Sequence, residues 1–192
     1  MSTVTFWFDP NCPFTWRTSR WIRAVAPRKG ARVDWRIMSL GILNEGKDIP
    51  EQWRAGMDWS RQAQRLLVAV GPSGIDKLYT AIGIRRHDNN EDPTEDLLVA
   101  ALADAGLPAE LIERSRDESL DPAIQDSHKL GQERVGTESG SPVLAIGDGP
   151  GFFGPVVVPI PEDESGDRLF DAVALLSTVP EFSELKRARA SF

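Results

Sequence analysis

Hydrophobic and polar positions change their spacing several times along the chain. Residues 3–9, TVTFWFD, are β-branched and aromatic and end at Pro10, which predicts a buried first strand. Residues 15–26 carry apolar side chains at helical spacing and stop at Pro27 and Gly30, which predicts a helix. Residues 32–38 alternate again and predict a half-buried second strand, parallel to the first in a right-handed βαβ unit.

The middle of the chain has a helical pattern without strand-like alternation. Helical runs extend from residue 50 to about 135, with breaks at 71–72, at HDNNEDP and at 106–108. Strand character returns at 142–146 and 152–158, and the short Gly-rich link between them predicts an antiparallel hairpin. A final helix is predicted over 166–177, followed by a shorter helical tail to Arg189.

This order of elements predicts the fold class. A βαβ unit, a block of helices and a ββα unit together indicate an α/β, thioredoxin-like fold with an α-helical domain inserted after the second strand. We expect a thioredoxin-like domain formed by residues 1–45 and 136–192, with the helical insertion spanning 46–135.

Composition and charge exclude several classes of function. The chain has 192 residues, 41% of them hydrophobic, and a formal net charge of −7, which argues against a nucleic-acid surface. It shows no signal-peptide pattern and no apolar run long enough to span a bilayer. A single cysteine excludes an internal disulfide and fits a reducing compartment. We therefore expect a cytoplasmic protein with no membrane partner, and the sequence leaves its oligomeric state open.

Cys12 lies in DPNCPFTW, between the first predicted strand and helix, at an edge expected to be exposed. Unpaired N–H groups and the helix dipole favour the thiolate there and can lower its pKa well below ~8.5. The alternative is that a lone cysteine is simply a small buried hydrophobic residue. Its position between Pro10 and Pro13 favours a nucleophile.

Thr15 follows Cys12 by one helical turn, so its hydroxyl can donate a hydrogen bond to the thiolate. It cannot attack a disulfide, and it could equally serve only to cap or fill the first turn. Phe14 and Trp16 could form an apolar lip against a substrate, although an aromatic such as Trp16 is more often part of the core.

The segment 138–143, ESGSPV, delivers Pro142 to the start of the third predicted strand. In thioredoxin-like folds this proline is cis and stands beside the nucleophile, which leaves the backbone of Ser141 free to pair with an extended substrate. The alternative is an ordinary loop proline at a strand start. His87 and His128 have no partner at metal-ligand spacing, so we predict no metal site. The sequence has no phosphate-binding loop, and we predict no tightly bound cofactor.

An ordered set of motifs extends over nearly the full chain, and it consists of FWFDPxCPFTWxTSRW, MSLGILNE, PEQWRAGM, LYTAIG, ADAGLPAEL, GSPVLAI, FFGPV and ELKR. This set resembles a known family, the mycothiol-dependent nitroreductases of the DsbA-like thioredoxin superfamily. The resemblance implies a cytoplasmic oxidoreductase that uses mycothiol, a low-molecular-weight thiol, as its reductant.

The resemblance also implies roles for individual residues. Cys12 matches the nucleophile, Phe14 the active-site tryptophan and Pro142 the cis-proline. Asn44 and Trp53 fall where the family has an asparagine and an aromatic near the thiol. We expect the substrate-binding residues to be Pro13, Phe14, Asn44, Trp53, Ser141 and Pro142.

The departure from the family is Thr15, which stands where the family has its resolving cysteine. A mixed disulfide at Cys12 could then be cleared only by a second external thiol. A monothiol oxidoreductase acting on a small electrophilic or disulfide substrate is the first hypothesis. A thiol transferase or isomerase of the kappa-class type and a non-catalytic redox-sensing or binding module are the alternatives.

Overall fold

A computed structural model describes residues 2–136, 139–161 and 163–188. Its regular elements follow one another in chain order. The strands are β1 (Ser2–Phe8), β2 (Ala31–Ile37), β3 (Val143–Ile146) and β4 (Gly151–Phe153). The α-helices are α1 (Pro13–Arg28), α2 (Leu40–Leu43), α3 (Glu51–Gly83), α4 (Glu95–Asp104), α5 (Asp121–Val135) and α6 (Asp163–Leu176). A π-helical segment, Ile84–Asp88, follows α3, and two 3₁₀ helices, Ala109–Arg116 and Glu118–Leu120, precede α5.

The four strands form one sheet in the order β2-β1-β3-β4. β1 pairs parallel to β2, whereas β3 pairs antiparallel to both β1 and β4. The predicted βαβ unit, the C-terminal hairpin and the thioredoxin-like arrangement are therefore confirmed.

β1 is one of the two inner strands, and its last three side chains, Phe6, Trp7 and Phe8, are buried on both faces of the sheet. Phe6 and Phe8 are fully buried, and the Phe8 ring stacks on Tyr79 of α3 with centroids 3.8 Å apart. Trp16 of α1 meets the same tyrosine edge-on at 5.7 Å. One hydrophobic core therefore extends from the sheet into the helices of the middle segment.

α3 contains the break predicted at Gly71 and Pro72. Gly71 has φ 66° and ψ −174°, a conformation open to glycine, and the helix kinks there and then continues to Gly83. No helix within the described ranges is long and apolar enough to cross a membrane.

Several predicted boundaries are wrong. β4 ends at Phe153 instead of residue 158, because Gly154 has φ 104° and precedes Pro155, which has no N–H for a ladder. No helical tail is present over 177–188, where the chain forms turns and irregular backbone, and Arg189 lies outside the described residues. α1 begins at Pro13 and α6 at Asp163, both earlier than predicted.

Candidate active site

Cys12 occupies the position between β1 and α1 and is the N-cap residue of α1. Its N–H donates to the carbonyl of Asp9 at 3.1 Å, and its own carbonyl accepts from the N–H of Trp16 at 3.1 Å. These bonds fix the backbone of the turn. The residue is only 7% exposed, so the prediction of an exposed edge is wrong for the cysteine itself.

Ser141 and Pro142 lie against Cys12, across the start of β3. The Cys12 Sγ–H points to the carbonyl oxygen of Ser141 at 3.7 Å, and the Ser141–Pro142 peptide bond is cis. The Ser141 hydroxyl lies 2.6 Å from the Thr15 hydroxyl and accepts from the N–H of Asp9 at 3.1 Å. Two segments distant in sequence, 9–15 and 141–142, thus meet around one sulfur.

The pKa of Cys12 is raised above its ordinary value, which corrects the expectation of a lowered pKa. Burial of the thiol is the largest cause, because it penalises the charged form, and the nearby Asp9 adds to it. The side chain and N–H of Thr15 and the N–H of Phe14 oppose the rise. The helix N-terminus acts in the predicted direction, but desolvation outweighs it.

The other predicted residues differ in their surroundings. Pro13 is exposed and Phe14 is half-buried at the start of α1. Asn44 follows α2, and its side-chain amide donates to the carbonyl of Leu40 at 2.8 Å. Trp53, in the first turn of α3, is 58% exposed. A role in substrate binding stays a prediction for these residues.

Asp9 is a buried carboxylate that the sequence pattern did not single out. Its side chain accepts four hydrogen bonds, which come from the N–H of Asn11 (2.9 Å), the N–H of Leu40 (2.8 Å), the hydroxyl of Ser60 (2.6 Å) and the amide of Gln64 (3.1 Å). Burial raises the pKa of Asp9, while these donors and Arg61 favour the charged form. The carboxylate therefore connects the turn at residues 9–16, between β1 and α1, to α3 and to the start of α2.

The π-helical segment forms hydrogen bonds to the other side of the turn at residues 9–16. Arg86 Nε donates to the side-chain oxygen of Asn11 at 3.2 Å, and the indole N–H of Trp16 donates to Asp88 at 2.8 Å. His87 Nε2 lies 2.9 Å from the carbonyl oxygen of Pro10, which can only accept, so the nitrogen carries the proton. Burial lowers the pKa of His87 to about 4, which leaves the ring neutral at pH 7.

Gly83 of α3 packs directly against Trp16 of α1. A Cβ atom placed on Gly83 would lie 2.0 Å from Cζ3 of Trp16, far inside van der Waals contact. Trp16, at 1% exposure, is a core residue, and so the predicted apolar lip does not include it. Glycine is needed at this position because the indole occupies the space of a side chain.

Chemically, the site offers one thiol, two hydroxyl groups and the backbone carbonyl beside a cis-proline. The chain contains no other cysteine that could attack a disulfide formed at Cys12. The arrangement can perform nucleophilic attack by sulfur and cannot resolve the product internally.

Comparison with known structures supports the fold. A probable DsbA oxidoreductase, SCO1869 from Streptomyces coelicolor, superposes with a TM-score of 0.60 at 18% identity, over 99% of this chain and 95% of that one. A 2-hydroxychromene-2-carboxylate isomerase gives a TM-score of 0.65 at 15% identity, over 92% and 95% of the two chains. At these identities the likeness is one of fold.

Sequence comparison identifies the family. The chain is 33% identical to the uncharacterised protein Rv2286c of Mycobacterium tuberculosis, over 99% of this chain and 84% of that protein. Residues 11–187 match the family model described as "Rv2466c-like: Mycothiol-dependent nitroreductase Rv2466c". This match includes Cys12, Thr15 and Ser141–Pro142, and the chain therefore belongs to the Rv2466c-like family of oxidoreductases.

Proposed function

We propose that the protein is a monothiol thiol–disulfide oxidoreductase whose single redox sulfur is Cys12 and whose reductant is a low-molecular-weight thiol. The observation that carries the proposal is the Cys12 sulfur at the Ser141–Pro142 carbonyl, with Thr15 in place of a second cysteine. The family description favours mycothiol as this thiol. We propose that it acts in the cytoplasm, where a lone thiol stays reduced.

The proposed cycle is two consecutive thiol–disulfide exchanges. Cys12 loses its thiol proton to solvent, and its thiolate attacks one sulfur of a disulfide, so that a Cys12 mixed disulfide forms and the other half leaves as a thiolate. An external thiolate then attacks the substrate-derived sulfur, which returns Cys12 as thiolate and releases a new disulfide. One half of the substrate disulfide is then a free thiolate and the other half is joined to the external thiol, so that complete two-electron reduction of the substrate disulfide consumes a second external thiol.

Thr15 and the N–H groups at the start of α1 would stabilise the Cys12 thiolate during both exchanges. The backbone of Ser141 would pair with an extended substrate, while Pro13 and Phe14 line its approach. Asn44 and Trp53 would contact the rest of the substrate or the thiol. Since burial raises the pKa of Cys12, the rate should increase with pH until that pKa is passed.

The family description names a nitroreductase, and reduction of a nitro compound at a site with one cysteine needs electrons from external thiols. Reduction of a nitro group to a nitroso group takes two electrons and two protons and releases water. Two external thiols would supply them and leave as one disulfide. Turnover with a nitro acceptor would therefore consume two thiols per group reduced.

The test is mass spectrometry of the intact protein after incubation with oxidised mycothiol. We expect one added thiol at Cys12, stable until a second thiol is supplied, and none in Cys12→Ser. In Thr15→Cys the new cysteine should release the bound thiol and leave an internal disulfide. A Cys12 that stays unmodified would overturn the proposal.

A transferase assay with glutathione or mycothiol distinguishes the kappa-class alternative. In that chemistry the reacting sulfur belongs to the co-substrate, so Cys12→Ser would keep its turnover. Loss of turnover in Cys12→Ser supports the monothiol cycle and also argues against a purely non-catalytic module.

A further inference from the structure

A cleft lies between α2, α3 and α5, and its lining does not include Cys12, Thr15 or Ser141. Its volume is about 600 Å³, within the range of small-molecule sites in proteins. The cleft therefore has the size of a ligand site, and the residues around the thiol are not part of its lining.

His128 supplies a hydrogen-bond donor to this cleft. The ring is only 8% exposed, and its Nδ1 accepts from the N–H of Ser39 at 3.3 Å, which places the proton on Nε2. Burial and the nearby Arg61 lower the pKa of His128, so the ring is neutral. Among the described residues Nε2 has no hydrogen-bond partner, and His128 is one of the residues that line the cleft.

Arg61 supplies the positive charge. Its side chain is 24% exposed, and the acid nearest to it, Asp121, lies 3.5 Å away. That carboxylate is already held by Arg65 through two bonds of 2.7 and 2.8 Å, so donor capacity remains on Arg61. Gly41 lies beside this guanidinium, since a Cβ there would be in ordinary van der Waals contact with Nη2 at 3.9 Å.

The lining of the cleft also carries negative charge. Glu45 and Asp58 are exposed acids of the lining, and with Arg61 and Lys129 they give two positive and two negative charges. A multiply charged anion therefore gains no net attraction. A molecule with one carboxylate and one ammonium group meets a partner for each.

We propose that this cleft binds a small zwitterion of dipeptide size. Its carboxylate accepts hydrogen bonds from Arg61 and from Nε2 of His128, and its ammonium group faces Glu45 and Asp58. Ile42 and Met57 provide apolar contact between the two ends. The inference goes beyond the redox function and does not depend on Cys12.

Isothermal titration calorimetry with three probes tests the proposal on the full chain. The probes are alanyl-leucine, its C-terminal amide and its N-acetyl form, which remove one charge at a time. We expect alanyl-leucine to bind with a dissociation constant of ~1 mM or tighter, and each derivative to bind at least ~10-fold more weakly. Equal binding of the three, or no binding of alanyl-leucine, would overturn the proposal.

Variants locate the binding. Arg61→Met should weaken binding at least ~10-fold. Gly41→Leu should abolish it by filling the cleft with a side chain. The matched control is Arg116→Met, which removes the same charge from an exposed pair with Glu95 outside the cleft. Binding unchanged by Arg61→Met, or weakened equally by Arg116→Met, would contradict the assignment of the cleft. Where a variant fails to fold, the three probes on the unmodified chain still test the proposal.

Discussion

The nucleophile turn, residues 9–16, is held from two sides that differ in what they touch. The strand side, formed by Ser141 and Pro142, reaches the sulfur of Cys12 and the hydroxyl of Thr15. The helical side, formed by α3 and the π-helical segment, reaches Pro10, Asn11, Trp16 and the carboxylate of Asp9. The comparison indicates that reactivity is set mainly from the strand side and position mainly from the helical side.

The largest expected effect is on the helical side, in Asp9→Asn. An amide cannot accept all four hydrogen bonds, so buried donors lose their acceptor, and we expect the free energy of unfolding to fall by about 3–4 kcal/mol. Urea unfolding measures it. Ser60→Ala removes one donor and should cost clearly less. An Asp9→Asn variant as stable as the parent would contradict the positional role.

Asp9→Asn should also change the pKa of Cys12, which tests whether the helical side affects the reactivity of the sulfur. The negative charge of Asp9 contributes to the raised pKa of Cys12, so removing it should lower that pKa. The pH dependence of Cys12 alkylation measures the change. A rise in the pKa would show that the variant acts only by disturbing the turn.

Gly83→Ala should have the next largest effect. The added methyl group collides with Trp16, and overpacking of this kind lowers the free energy of unfolding by about 2–3 kcal/mol. Gly41→Ala is the matched control, since its methyl group would be in ordinary van der Waals contact, no closer than 3.5 Å to any neighbour. Thermal or urea unfolding of both variants compares them, and equal losses would contradict the packing argument.

His87→Gln should change the pH dependence of stability. The pKa of His87 is about 4 in the folded protein, below its ordinary 6.5, so between these values the unfolded state binds more protons and acidification favours unfolding. The contribution is complete above pH 6.5 and is lost as the pH falls towards 4. From pH 7 to 5 the variant should lose about 1.5 kcal/mol less than the parent. Parallel pH profiles would exclude the effect.

Thr15→Val tests the strand side and should have the smallest effect. The Thr15 hydroxyl is one of the groups that lower the pKa of Cys12, so that pKa should rise further without it. Alkylation at pH 7 should slow accordingly, while Thr15→Ser keeps the parent rate. Stability lost to the extent seen in Asp9→Asn would mean that Thr15 serves position instead of reactivity.

Sequence patterns predicted the elements that local spacing determines. The alternation around Trp35, the apolar spacing in α1 and the hairpin at 143–153 are all present, and Cys12, Thr15, Ser141 and Pro142 meet as the fold implies. Asp9 and the π-helical segment were missed because their partners lie far away in sequence. In the sequence, HDNNEDP indicates only a polar break between helical runs, and Asp9 indicates only the end of the first strand.

The pKa of Cys12 shows why even a well-placed residue can be misjudged. Its sequence neighbours indicate the helix terminus, which lowers the pKa, but not the depth of burial, which raises it. Ser141, which lies against the sulfur, is 129 residues away in sequence, and only the folded chain brings the two together.

The contact between Gly83 and Trp16 has a consequence for how this family varies. The indole fills the space that any side chain at position 83 would need, so neither position can change freely while the other is kept. Among related sequences the two positions should therefore vary as a pair, with a side chain at 83 accompanied by a smaller residue at 16.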